Sequence, residues 1–193
     1  MKQLVGIFFL LTATVTMAMA AKKNVTHFAD IPVTGTAADV TSKLIKKGFE
    51  LHDMTILAGE FNQMKVYASV LESEKGVYAI KLIDKEGVTD PMKAVEKYNT
   101  LIAWFKDHKN YKEYESNNFV STSDKQKINQ YIQENWYLAE FFQNVDDTKG
   151  DSYENYNKPV TFYLTIIGGT YHLVICFENR ENRPENIKEE SIL

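Results

Sequence analysis

Cysteine is all but missing from this chain: Cys176 is alone among 193 residues, so no intramolecular disulfide can form. A single thiol with no activating neighbour in sequence reads as a buried, structural side chain held by packing. Basic blocks are missing too, and a formal charge of −4 argues against nucleic acid and anionic membrane surfaces as partners. The four histidines (His27, His52, His108, His172) show no H-x-x-E-H or H-x-H spacing, so neither a metal nor another cofactor is expected. Asp146, Asp147, Asp151 and Glu154 form an acidic stretch, but one without the alternation and glycine of a calcium-binding loop. No G-x-x-x-x-G-K, G-x-G-x-x-G or G-x-S-x-G pattern occurs. Beyond the first twenty residues, no apolar run is long enough to span a bilayer.

Those first twenty residues carry Lys2, an apolar run over 4–16 and the small-x-small triplet Ala18-Met19-Ala20. The pattern is that of a signal peptide cleaved before Ala21, too short to be a membrane span. Cleavage would take 20 residues from 193, leave 173, and move the formal charge from −4 to −5 through loss of Lys2. With no cysteine at the cleavage point, the chain is expected to be periplasmic or secreted and not a lipoprotein. Residues 21–30 are polar and read as a flexible lead-in. Asn24-Val25-Thr26 fits a glycosylation sequon, a common pattern that carries little weight in a bacterial-looking export context.

The clearest element lies in residues 31–49. Thr36 caps a helix over 36–47 with Asp39 three residues on, and Ala37, Val40, Leu44 and Ile45 make an apolar stripe. Lys43, Lys46 and Lys47 suit the helix C-terminus, and Gly48 stops it. Strands are expected over 49–60, with a turn near His52-Asp53, and then over 64–71 and 77–83. If Glu72 pairs with Val77, then Tyr67, Leu71, Tyr78, Ile80 and Leu82 share a face, which the tyrosines favour as core. Asp90 and Pro91 open a second helix with Met92, Val95, Tyr98, Leu101, Ile102 and Phe105 at helical spacing. Residues 111–121 read as a polar connection, 124–133 as a short helix capped by Ser123, 136–142 as a strand and 145–158 as a polar loop.

The strongest β signal flanks Gly168-Gly169, a two-residue loop suited to a primed turn. It sets Val160, Phe162, Leu164 and Ile166 opposite Phe177, Ile175, Leu173 and Tyr171 on a core face. Thr161, Tyr163, Thr165 and Ile167 then oppose Cys176, Val174, His172 and Thr170 on a semi-polar face. His172 and Cys176 stand four residues apart along this strand, roughly 13 Å at about 3.3 Å per residue. A nucleophile and its base need about 3 Å, which removes that pair. A polar tail over 181–193 caps the domain or frays.

Both halves thus read as a helix followed by three strands, over 31–85 and 86–180. The expected class is α+β, an antiparallel sheet with helices packed on one face. Most of the eleven tyrosines, eleven phenylalanines and two tryptophans sit at core periodicities. Tyr111, Tyr114, Tyr153 and Tyr156 instead fall in polar connections, where aromatic side chains serve binding surfaces or fold back on the core. With Tyr163, Thr165 and His172 they form the candidate binding set. The leading expectation is a non-enzymatic binding or accessory protein showing a sheet face to another protein or envelope component. Two alternatives stand beside it: an enzyme with a site assembled from His52, Asp53, Glu140 and His172, and a structural protein self-associating through sheet edges.

Phe28-Ala29-Asp30-Ile31-Pro32-Val33-Thr34-Gly35-Thr36, closed by Lys46-Lys47-Gly48-Phe49, resembles the opening of a family of small exported proteins from gut-dwelling Gram-negative bacteria. In that family a glycine usually stands where Asp30 is. Leu57-Ala58-Gly59-Glu60-Phe61 is similar to its L-x-G-x-F strand end, and Tyr98 and Trp104 fall in the helix before the second half. The resemblance implies a two-repeat α+β fold like the β-lactamase-inhibitor proteins and the small outer-membrane assembly lipoproteins, whose open sheet face binds a protein. It brings no catalytic residues and no cofactor. Some members are lipoproteins, a tether this chain's missing lipobox cysteine argues against.

Overall fold

Thr36 takes the extended backbone of a helix cap and its Oγ1 accepts the Asp39 N–H at 3.2 Å, starting α1 (Ala37–Lys46). Gly48, at φ +96°, supplies the left-handed stop. Asp90 caps α2 (Pro91–Asp107) by accepting the Met92 N–H at 3.1 Å, with Pro91 inside the first turn. Asp124, one residue beyond the expected Ser123, caps α3 (Lys125–Gln133). The computed structural model describes residues 25–116, 124–134, 136–145, 148 and 156–185. The expected signal peptide over 1–20 and the acidic stretch around Asp146, Asp147, Asp151 and Glu154 lie outside them.

Among the described residues the architecture is α+β, with an eight-stranded antiparallel sheet and three helices. In chain order the strands are β1 (His27–Phe28), β2 (Ile31–Pro32), β3 (Glu50–Leu51), β4 (Ile56–Phe61), β5 (Met64–Ser73), β6 (Gly76–Asp84), β7 (Tyr111–Ser116), β8 (Leu138–Gln143), β9 (Pro159–Ile167) and β10 (Thr170–Glu178). β1 and β2 form a small separate ladder, and the large sheet runs β3-β4-β5-β6-β10-β9-β8-β7. A 3-10 turn (Arg180–Asn182) follows β10.

All three helices contribute to one core on one face of the sheet. Val40 and Leu44 from α1, Tyr98, Ile102 and Phe105 from α2, and Ile128 from α3 share it with Ala68, Leu82, Ile175, Phe162 and Phe141 of five neighbouring strands. The β9–β10 ladder has the register the alternation predicts, from Val160 opposite Phe177 to Ile167 opposite Thr170. Gly168 and Gly169, at φ +58° and +83°, take the left-handed pair that a primed turn needs.

Three expectations are corrected. Glu72 does face Val77, but Leu71 faces Ala79, so Tyr78 is an extra residue in β6. A side-chain period of two means that one inserted residue exchanges the faces beyond it. Val66, Ala68 and Val70 therefore join Ile80 and Leu82 in the core, while Tyr67 and Leu71 face the other way. The Asn179 N–H donates to the Tyr78 carbonyl at 2.8 Å, anchoring the bulge. Residues 111–116, expected as a connection, form the edge strand β7 against β8. Finally, the described part of the lead-in is fixed: Val25, Thr26 and Phe28 are buried, and Thr26 Oγ1 donates to the Glu178 carbonyl. Gln143 holds the same segment, accepting the His27 N–H at 2.7 Å and donating to the His27 carbonyl at 2.9 Å.

Candidate functional site

Between α2 and the strands in front of it lies a cleft of about 620 Å³. That is within the roughly 300–1,000 Å³ of small-ligand sites. Its lip is the β4–β5 turn, where Asn62 and Gln63 sit at φ +47° and +63°. This primed geometry suits the twist of a two-residue hairpin, and its usual occupants are Asn-Gly. A side chain such as Gln63 in the left-handed region costs about 1 kcal/mol relative to glycine. Met64 and Lys65 of β5, Asp84 of β6 and the following Glu86 and Val88 make one wall. Lys93, Glu96, Lys97 and Thr100 come from α2 at i, i+3, i+4 and i+7, which puts them on one helix face. Buried Leu101 and Leu173 form an apolar floor beside half-buried Val88. Val88 is pinned by two backbone bonds to Tyr171, at 2.9 and 2.7 Å.

Charge in the cleft is balanced, three lysines against three carboxylates. Asp84 is 2 % exposed and its carboxylate accepts from Lys97 Nζ at 2.7 Å and from the Glu86 N–H at 3.2 Å. Lys65 Nζ donates to the Glu86 carboxylate at 3.0 Å at the surface, and this hydrogen bond, followed by the carboxylate's charge, raises the Lys65 pKa. An exposed pair of this kind contributes little to stability and yields easily to a ligand. The only hydroxyl in the lining, Thr100 Oγ1, donates to the Glu96 carbonyl at 2.8 Å. Such a site recognises charge and shape; no nucleophile–base pair is assembled in it.

His172 stands behind the cleft. Its Nδ1–H donates to the Asp84 carbonyl at 2.8 Å, and its Nε2 lies 2.7 Å from Thr170 Oγ1. Gly87, at φ +52°, leaves room for the ring, since a Cβ there would come within 2.5 Å of it. His172 therefore clamps the loop after β6 from the far side of the sheet, with Thr165 opposite it in the ladder. It is half-buried, with both ring nitrogens engaged within the fold.

The other expected residues divide. Tyr163 is buried at 2 % exposure with Val174 and Cys176, so it is no accessible contact, and burial pushes its phenol pKa up. Tyr111 packs on Phe105 at 4.6 Å and takes a hydrogen bond from Gln143 Nε2 at 3.3 Å. Burial raises its pKa as well. Tyr114 and Tyr156 do meet, with ring centroids 5.8 Å apart and both against Phe142. Arg180 lies 5.5 Å over Phe142, ion-pairs with Glu140 and donates to the Tyr156 carbonyl at 3.1 Å. Tyr153 lies outside the described residues. His52, Asp53, Glu140 and His172 are not gathered: the His52 ring lies tilted against Tyr67, centroids 4.8 Å apart, near β3, and β3 and β10 are four ladder steps apart. At about 4.8 Å per step that is roughly 19 Å.

Cys176 is fully buried, and burial followed by the charge of Glu178 pushes its thiol up to about 12. A thiol-specific reagent should leave it unmodified in the native protein at pH 8 and label it fully in denaturant. Rapid native labelling would show that this part of the sheet opens.

The cleft itself escaped sequence reading, although two signals were present. Lys93, Glu96, Lys97 and Thr100 form a polar stripe opposite the apolar face of α2, and Asp84 ends a largely apolar strand. No group of three or more metal-ligating side chains occurs among the described residues, and no helix among them is long and apolar enough to cross a membrane. No family model matches the chain, and no curated protein or solved structure matches it.

Proposed function

We propose that the chain is an exported, non-enzymatic binding protein of the bacterial envelope, and that its ligand seats in the cleft between α2 and the β4–β6 strands. The observation that carries this reading is the cleft's lining: an apolar floor under a charge-balanced rim whose single buried carboxylate, Asp84, is already neutralised by Lys97. Binding sites keep such convergent polar groups over apolar walls. The lip adds support, because Gln63 holds a conformation that glycine would take at less cost.

The reading also takes 31–85 and 86–180 as two units, each with a helix in front of an antiparallel meander. In favour of it, their last strands β6 and β10 pair at the sheet centre, and the earlier strands run outward in order on both sides. That arrangement is similar to the tandem fold implied by the opening residues. A second reading, a protein contact on the sheet side away from the helices, draws on the Tyr114–Phe142–Tyr156 cluster, where Tyr114 is 60 % exposed. Amide chemical-shift mapping with the low-mass fraction of an envelope extract separates the two, since their residues do not overlap.

A further inference from the structure

Resting on that cleft reading, we propose that the ligand is the carboxyl-terminal end of a peptide, with a branched apolar side chain on the floor. Three features of the cleft converge on this chemistry. First, Lys93 and Lys97 lie one helical turn apart, about 6 Å along the axis of α2, and both face the cleft. Lys93 is exposed and makes no ion pair among the described residues. Lys97 gives one of its three N–H groups to Asp84 at 2.7 Å, and the other two stay available. Two flexible ammonium groups so placed suit a terminal carboxylate, as charge-assisted donors. A polyanion would meet Glu96 and Glu86 on the same rim and be repelled.

Second, Asn62 and Gln63 bring two carboxamides to the lip. Each carboxamide offers a donor and an acceptor, the complement of a peptide group. At φ +63°, Gln63 is the costlier of the two left-handed residues, and a glycine there would relieve the backbone. Its side chain is what the glycine would lose. Third, Leu101, Leu173 and Val88 give the same cleft an apolar floor, the surface an aliphatic side chain would rest on.

Calorimetry on the full mature chain tests this with three probes: N-acetyl-leucyl-leucine, its carboxyl-terminal amide, and octanoate. The free acid should bind, and the amide and octanoate each roughly tenfold more weakly, the loss of about one charge-assisted or peptide-group contact. Lys93→Gln should weaken the acid roughly tenfold and leave the amide unchanged. Gln63→Gly should weaken acid and amide alike while raising the thermal midpoint of the free protein, a combination a purely structural residue would not give. Thr100→Trp, at an exposed position of the cleft wall, should abolish binding of all three. Equal binding of acid and amide, or no binding of any probe, overturns the peptide proposal. Tighter binding of octanoate, lost in Thr100→Trp, also overturns it yet leaves the cleft as the binding site. Binding that Thr100→Trp does not affect overturns both.

Discussion

Phe162→Ala should lower the unfolding free energy by about 4 kcal/mol, the range for truncating a fully buried aromatic ring. Phe162 is wholly buried in β9 and is ringed by Phe105 at 5.1 Å, Phe141 at 5.6 Å and Tyr98 at 5.7 Å. Those rings come from α2 and β8, so the cavity would open where the helix layer meets the sheet. Rigid aromatic neighbours on a paired strand cannot collapse into the gap, which places the loss near the top of the range. Denaturant titration, with the slope compared to wild type, gives the number. A loss below about 1.5 kcal/mol would mean that the helices do not depend on this contact.

Lys97→Met should cost about 3 kcal/mol, although Lys97 itself is partly exposed. The loss arises at its partner: Asp84, 2 % exposed, would keep one N–H donor, from Glu86, and no cation. Removing the cation from a buried carboxylate is costlier than replacing both groups, because a desolvated charge is left uncompensated. Asp84→Asn combined with Lys97→Met should therefore recover most of the loss, and the double-mutant cycle should give a large coupling. Independent, additive effects would show that Asp84 reaches water by another route. The pair joins stability to recognition, since the ammonium that neutralises Asp84 also faces the cleft.

Legibility in the sequence followed the range of the interactions. α1, α2 and the β9–β10 hairpin rest on neighbours within a few positions: Thr36 with Asp39, Asp90 with Pro91, and Gly168-Gly169 between alternating strands. Their register and ends were readable for that reason. The bulge at Tyr78 was not, because what fixes it is the distant Asn179 N–H. Strand β7 was hidden by its own charges. Lys112 and Glu113 suit an edge that must not pair with other chains, and Glu113 pairs with Lys106 of α2 at 3.0 Å. Polarity that reads as a loop is here the protection of an edge. The lead-in was misread similarly, as its anchors Gln143 and Glu178 lie more than a hundred residues away.

The binding set suffered most from this limit. Tyr163 and Tyr111 were chosen by placement on a semi-polar face or in a polar connection, and packing withdrew both from easy contact. His172, which shares that semi-polar face, donates to the Asp84 carbonyl. The cleft draws on four separate stretches, at 62–65, 84–88, 93–101 and 173. No local pattern could join them, since only the strand order brings β5, β6 and β10 together beneath α2.

Ligand should bind in the cleft and not on the sheet face. The most direct test is amide chemical-shift mapping of isotopically labelled residues 21–193, titrated with N-acetyl-leucyl-leucine. Saturable shifts are expected at Gln63, Val88, Thr100, Leu101 and Leu173, lost in Thr100→Trp, with Thr161 and Tyr114 unmoved. Shifts confined to Thr161, Thr165, Tyr114 and Tyr156, unaffected by Thr100→Trp, would contradict it and place recognition on the opposite side of the sheet.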